Sequence, residues 1–174
     1  MFRLSNILFE YPLIYIVGVA FLITALLSVF ISFFPRKSLK SEIDEVNLER
    51  KITKKSLVIS FISGCLIMPL LETLIFQFSV IRLMQIFFTN ANAVMLFSII
   101  ISSLLFSLAH LVGRSFFDVL TRIPLGIALA LVFLICDFRK THPIAITYFF
   151  HFMWNFLFVI VFPIVAIEIK KMKS

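Results

Sequence analysis

Apolar positions run along this chain in long unbroken stretches, and polar residues interrupt them at only a few places. Residues 13–34 carry no charged side chain, and about 20 such residues suffice to cross a bilayer core as a helix. The run is too long for a signal-peptide core, is followed by Pro35, Arg36 and Lys37, and lacks a small-residue cleavage site, so it reads as a retained membrane helix. Residues 35–56 form the one long polar segment, with seven basic and four acidic side chains. Its part from 41 to 55 reads as a solvated loop, with a short surface helix as the alternative. From Ser56 the chain is apolar to Leu71, is interrupted by Glu72, and is apolar again through Ile81. Beyond Arg82, residues 83–113 hold no acidic or basic side chain except His110, and the turn signal among them is Thr89, Asn90, Ala91, Asn92. The pattern predicts a helical hairpin with arms at about 56–88 and 93–111. A fourth helix is expected at 117–136 and a fifth at 144–167, separated by the polar turn 137–142. The expected fold is all-α, a polytopic transmembrane bundle of about five spanning helices. Residues 1–55 are its first helix and basic loop, 56–168 its core and 169–174 a basic tail.

Composition agrees with that pattern. The chain has 174 residues, 61% hydrophobic and 14% charged, with 23 Phe, against about 45–50% apolar and about a quarter charged in soluble domains. A soluble fold of this length could not hide so much apolar surface. A soluble enzyme, a disordered tail and a disulfide scaffold are all poor fits. Cys65 and Cys136 sit in apolar stretches without paired spacing and read as small core- or lipid-facing residues.

The net charge of +7 would suggest nucleic acid for a soluble protein, but its placement points to the lipid bilayer instead and to no nucleic acid. Residues 1–12, 82–92 and 137–142 hold four Lys and Arg, whereas 35–56, 112–122 and the C-terminal tail hold twelve. With five spans, the N-terminus is expected outside and the basic loop and C-terminus inside, with a bacterial cytoplasmic membrane as the expected location.

Ionisable and amide side chains within spanning segments are costly and are functional-site candidates by default. Four stand out: Glu72, His110, His151 and Asn155. Alone, any one of them could be a buried helix–helix hydrogen bond; four on three helices, in a chain with three His in all, favour a site. His151 and Asn155 are spaced i,i+4, as are Phe106 and His110, so each pair shares a helix face. Glu72 and His110 are equidistant from Ala91, within the hairpin turn, so an antiparallel hairpin sets them at one depth. Pro69 deprives Cys65 of its helical donor and loosens the helix before Glu72. His151 lies only some seven residues into the fifth helix, while Glu72 and His110 would stand about 28 Å from the hairpin tip. For all to meet, the hairpin must protrude, tilt or break. His142 reads as interfacial, Arg82 as snorkelling outward, and Trp154 and the Phe residues as lipid-facing or packed.

The segments Pro69-Leu-Leu-Glu72-Thr73-Leu-Ile-Phe76-Gln77, Phe106-Ser-Leu-Ala-His110 and His151-Phe-Met-Trp-Asn155 resemble the three motifs of the CPBP (Abi) family. That family comprises CAAX proteases and bacteriocin-processing intramembrane endopeptidases, with the ordered pattern EExxFR, FxxxH and HxxxN. The resemblance covers about residues 56–165. It implies an intramembrane endopeptidase in which Glu72 and His110 activate a water and His151 and Asn155 bind the oxyanion, with a peptide or membrane-protein substrate. That chemistry is sensible in itself: a carboxylate beside an imidazole can take a proton from water, and amide and imidazole donors can hold an oxyanion. No cofactor is expected; zinc on Glu72, His110 and His151 is the alternative, without the HExxH spacing of many zinc peptidases. The sequence departs from the family pattern at Thr73 and Gln77, where a charged pair is expected to be replaced by a neutral hydrogen-bonded one. The competing readings are a non-proteolytic scaffold or immunity protein of the same fold, and a small proton-coupled transporter.

Overall fold

The computed structural model describes residues 11–32, 54–111 and 116–173. Five helices make up the described residues: α1 (Leu13–Ser32), α2 (54–87), α3 (Ala91–Ala109), α4 (Phe116–Phe138) and α5 (143–173). Four of them are long and apolar enough to cross a membrane, and α1 adds a shorter apolar stretch, so the chain is an integral, multi-pass membrane protein. The segment 41–55, read as a solvated loop with a surface helix as the alternative, lies almost wholly outside the described residues.

Local chemistry explains where the helices begin and end. Asn90 is extended (φ −80°, ψ 119°), and its side-chain oxygen accepts from the backbone N–H of Asn92 and Ala93. This N-cap starts α3 at Ala91, two residues before the turn signal alone suggested. Pro143 opens α5, where a missing N–H costs nothing. Between α4 and α5, Lys140 adopts φ 54°, its N–H bonds the Asp137 carbonyl, and the Thr141 N–H bonds the Cys136 carbonyl. That is the Schellman arrangement, with a lysine in the left-handed position that glycine usually fills.

Two helices are not uniformly α. In α2, π-helical stretches Phe61–Ile67 and Thr73–Ser79 flank the short α segment Met68–Glu72, and in α5 a third, Phe156–Val161, follows Asn155. Such wide turns inside α-helices are frequent at functional sites. Here they bracket two of the four candidate residues.

The core lies where α1, α3, α4 and α5 meet. Phe106, Leu125, Leu129, Phe150 and Trp154 are buried there, and Val17, Ala20 and Phe21 of α1 pack onto them. Phe21 meets Phe150 and Trp154 edge to face, with ring centroids 5.4 and 5.6 Å apart. Trp154 is therefore a packing residue. The seam between α3 and α4 is built from small side chains. Ser98, Ser102, Ser103 and Ser107 are buried on α3, and a Cβ on Gly126 of α4 would stand 3.0 Å from the Ser103 Cα. Small residues let membrane helices approach at backbone distance, where packing replaces the hydrophobic effect as the source of association.

The far end of the hairpin is held by a polar clamp. Arg82 of α2 forms a two-pronged pair with Asp137 of α4 (2.6 and 3.0 Å), and Gln85 donates to the same carboxylate at 2.8 Å. The reading of Arg82 as merely snorkelling outward is corrected: although 41% exposed, its guanidinium finds a carboxylate 55 positions away and lies over Phe78 and Phe133. The clamp also resolves the depth problem. With Arg82 level with the end of α4, the rest of α2 and the turn at Asn90 extend past the α4–α5 connection by about 10 Å. The hairpin protrudes, and Leu83, Ile86 and Phe87 are exposed on it.

Candidate active site

Glu72 closes the α segment Met68–Glu72 of α2 and turns its carboxylate toward α3 and α5. His110 Nε2 stands 3.6 Å from its Oε1, and His151 Nε2 stands 3.3 Å from its Oε2. One carboxylate is thus flanked by two imidazoles, each addressing a different oxygen. The side chains of Glu72 and His110 are 13% and 16% exposed, whereas that of His151 is 1% exposed.

His110 is the residue that ends α3, and its backbone N–H bonds the Ser107 carbonyl. Its ring Nδ1 lies 2.8 Å from the Phe106 carbonyl. A carbonyl only accepts, so Nδ1 carries the proton, and in the neutral ring Nε2 is the acceptor on the side of Glu72. The i,i+4 spacing of Phe106 and His110 therefore does more than share a face, because the first residue's carbonyl fixes the second's tautomer. The Phe106 ring, fully buried, lies 4.9 Å from the His110 ring and 5.5 Å from the His151 ring, centroid to centroid. It is an apolar wall touching both imidazoles.

Asn155 lies one turn beyond His151 and donates from Nδ2 to the Gly64 carbonyl at 2.9 Å. The reason that carbonyl is available lies in the π winding. The Met68 N–H bonds Ser63, five residues back, so in the same register the donor for Gly64 would come from residue 69. That residue is proline and has no N–H. The expectation that Pro69 leaves Cys65 without a partner is corrected to Gly64, shifted by one residue because the helix here is wound i→i+5. Sequence reasoning missed Gly64; the proline signalled a freed carbonyl, but only the winding says which.

Thr73 and Gln77 are both fully buried, yet the Thr73 hydroxyl and both polar atoms of the Gln77 amide have no hydrogen-bond partner in the protein. The expected neutral hydrogen-bonded pair is therefore not formed. They lie within the π stretch Thr73–Ser79, whose backbone register departs from the α spacing that an i,i+4 contact assumes. Thr147, one turn before His151, is likewise buried with an unpartnered hydroxyl. Sequence reading passed over it because a lone Thr in an apolar helix is unremarkable. His142 is exposed at the start of α5, away from the site. Cys65 and Cys136 are buried free thiols.

A family model described as type II CAAX prenyl endopeptidase Rce1-like matches residues 54–157, well over half of the chain. The chain belongs to this Rce1-like family. The match opens with α2 and ends two residues beyond Asn155, so the Rce1-like region takes in Glu72, His110, His151 and Asn155 and leaves α1 outside. It agrees with the resemblance to CAAX proteases carried by the three motifs. Neither the curated proteins nor the solved structures contain a match to this Rce1-like chain.

Proposed function

We propose that this chain is an intramembrane endopeptidase in which Glu72 and His110 activate a water for attack on a peptide bond. The observation that carries the reading is the carboxylate of Glu72 set between two imidazole Nε2 atoms at 3.6 and 3.3 Å. Glu72 Oε1 and, in the neutral ring, Nε2 of His110 are both acceptors, 3.6 Å apart. A water donating one hydrogen to each is polarised by both. As its oxygen forms the bond to the scissile carbonyl carbon, Glu72 takes one of its protons. The carboxyl then returns that proton to the departing amine as the C–N bond breaks. The developing oxyanion needs donors. His151, with Nε2–H toward Glu72, and the second amide hydrogen of Asn155 are the groups available on α5.

The chemistry is derived without a metal. The two histidines address different oxygens of Glu72. On this proposal a strong chelator leaves cleavage unchanged, whereas loss of cleavage restored by zinc would assign Glu72, His110 and His151 to a metal instead.

The proposed substrate is a peptide presented at the membrane. Prenylated CAAX tails are the first class to test, given the family's description, beside leader peptides and membrane-protein loops. Purified protein in detergent, given such a panel, is expected to cleave at least one class. Glu72→Gln and His110→Ala are expected to abolish cleavage while the protein remains folded. Undiminished cleavage by Glu72→Gln would refute the mechanism, and the absence of any cleavage across the panel would favour a binding role for the same fold.

A further inference from the structure

One charged side chain beside the site takes no part in the proposed reaction. Arg122 lies in α4, one turn before Gly126, and the helix runs unbroken through Pro124, so the two share a face. Packing fixes what that face meets. A Cβ on Gly126 would stand 3.0 Å from the Ser103 Cα and 3.2 Å from Cδ1 of Phe106. Toward the other end of the same two helices, Met95 and Ile99 of α3 pack on the cluster that holds Phe133 and Leu134 of α4. The helices are therefore antiparallel neighbours, and their register sets the turn of Arg122 opposite the turn of Ser107 and His110. Electrostatics agree, because the Arg122 charge acts on the ring of His151, which is 1% exposed. An arginine snorkelling out to the headgroups would hold its charge away from so buried a ring. The guanidinium faces the site.

The groups of the site are not equally accessible. The side chains of Glu72 and His110 are 13% and 16% exposed and Arg122 is partly exposed, whereas His151 is enclosed. A peptide that reaches Glu72 past His110 therefore passes the guanidinium. A cation within a spanning helix is costly, and such residues as a rule serve a site or a pathway. The oxyanion already has its donors on α5, so what Arg122 adds is recognition. A guanidinium carries five N–H donors in a planar fork that matches a carboxylate in two-pronged fashion. An interaction within the chain that engages some of the five leaves others for a ligand.

We propose that Arg122 is a specificity-determining residue that binds a carboxylate of the substrate on the leaving-group side of the scissile bond. That carboxylate is the free C-terminus of a short tail or an acidic side chain close to it. Glu72 and His110 form the side of the site where the departing amine collects its proton, and Arg122 stands opposite His110, so the anchored group belongs to the fragment that leaves. Neighbouring helix axes lie about 8–10 Å apart and an extended residue spans about 3.3–3.6 Å, which puts the carboxylate within a few residues of the cut. The leaving-group assignment rests on the endopeptidase reading; the cation beside the site does not.

A ratio of rates tests this. A peptide that the panel shows to be cleaved, ending a few residues after the cut, is made with a free C-terminus, as the amide, and as an amide whose last residue is aspartate. The free acid is expected to exceed the plain amide in kcat/KM by about ten- to a hundredfold, chiefly through KM, as one charge-assisted, two-pronged contact yields. Arg122→Gln should bring that ratio to about one, and Arg122→Lys, a point charge without the fork, should keep part of it. Each ratio is taken on one preparation, so it does not depend on how much of a variant folds. Preference for the free acid alone assigns the C-terminus; equal preference for the aspartate form assigns any carboxylate placed there. A wild-type ratio near one, as expected of an arginine that reaches a lipid phosphate, overturns the proposal and leaves the endopeptidase reading standing. So does a preference that survives Arg122→Gln. If no peptide is cleaved, fluorescence anisotropy of a labelled prenylated CAAX tetrapeptide on the wild-type protein in detergent compares acid with amide. Tighter binding of the acid, lost in Arg122→Gln, would sink the endopeptidase reading and support the carboxylate site; equal binding would overturn both.

Discussion

Asn155 has two roles that a single substitution would confound, and the link between Pro69 and Gly64 separates them. Asn155→Ala removes the donor to the Gly64 carbonyl and leaves that carbonyl without a partner in an apolar setting. The expected cost is about 1–3 kcal/mol from the desolvated acceptor, moderated toward ~0.6–1.7 by the modest worth of hydrogen bonds between membrane helices. For a chain of this size that lowers Tm by roughly 2–6 °C. Pro69→Ala returns an N–H to the backbone. If the π register persists, that N–H serves Gly64. If α winding resumes, Met68 serves it instead. In either register the carbonyl is satisfied without Asn155. In the Pro69→Ala background, then, Asn155→Ala should cost little, and the double-mutant cycle should show a favourable coupling of about 1 kcal/mol. Thermal scans in one detergent at a fixed rate read this directly. Cleavage should not be rescued, because the loss of an oxyanion donor costs about 10²–10³ in rate whatever the state of Gly64. Additive Tm changes would refute the account of why Gly64 needs Asn155. Recovery of cleavage along with Tm would refute the oxyanion role.

Three further outcomes are expected. Gly126→Ala should lower Tm by several degrees, because the new Cβ meets Ser103 backbone at 3.0 and 3.1 Å and overpacking costs about 1–3 kcal/mol; Gly126→Ser should do no better. Asp137→Asn removes the charge from the clamp and should cost about 1 kcal/mol, a partly exposed pair being worth less than a buried one. A cycle with Arg82→Gln should show that the two losses are not additive, and additivity would mean the pair contributes nothing. Incubation with a strong chelator should leave the rate of peptide cleavage within error, and loss of cleavage restored by added zinc would reinstate the metal reading.

Much of this arrangement could be read from the residues in order. The five helices follow from unbroken apolar runs set against the thickness of a bilayer, and their ends fell within a few residues because Asn90 and Pro143 carry their own boundary chemistry. Glu72 and His110 could be matched in depth because an antiparallel hairpin is a symmetric object whose midpoint is visible. What escaped was whatever depends on winding or on distant partners. Nothing in Phe61–Ile67 or Thr73–Ser79 distinguishes a π turn from an α turn, so the freed carbonyl was placed one residue off and Thr73 was paired with Gln77. Arg82 and Asp137 meet through the crossing of two helices, which hydropathy does not encode.

The clamp at Arg82 has a bearing on which changes of length the chain tolerates. Glu72 and Arg82 ride on one helix, and His151 and Asp137 stand on either side of one short connection, so two contacts fix two helical spacings at once. A residue inserted between 73 and 81 would swing Glu72 by roughly 100° about the helix axis while the clamp stayed in place. It would carry the carboxylate away from both imidazoles. An insertion in the protruding turn at 88–90 disturbs neither contact. Drift in chain length among descendants of this sequence is therefore expected to collect at that tip and to be purged from the stretch 73–81 between Glu72 and Arg82.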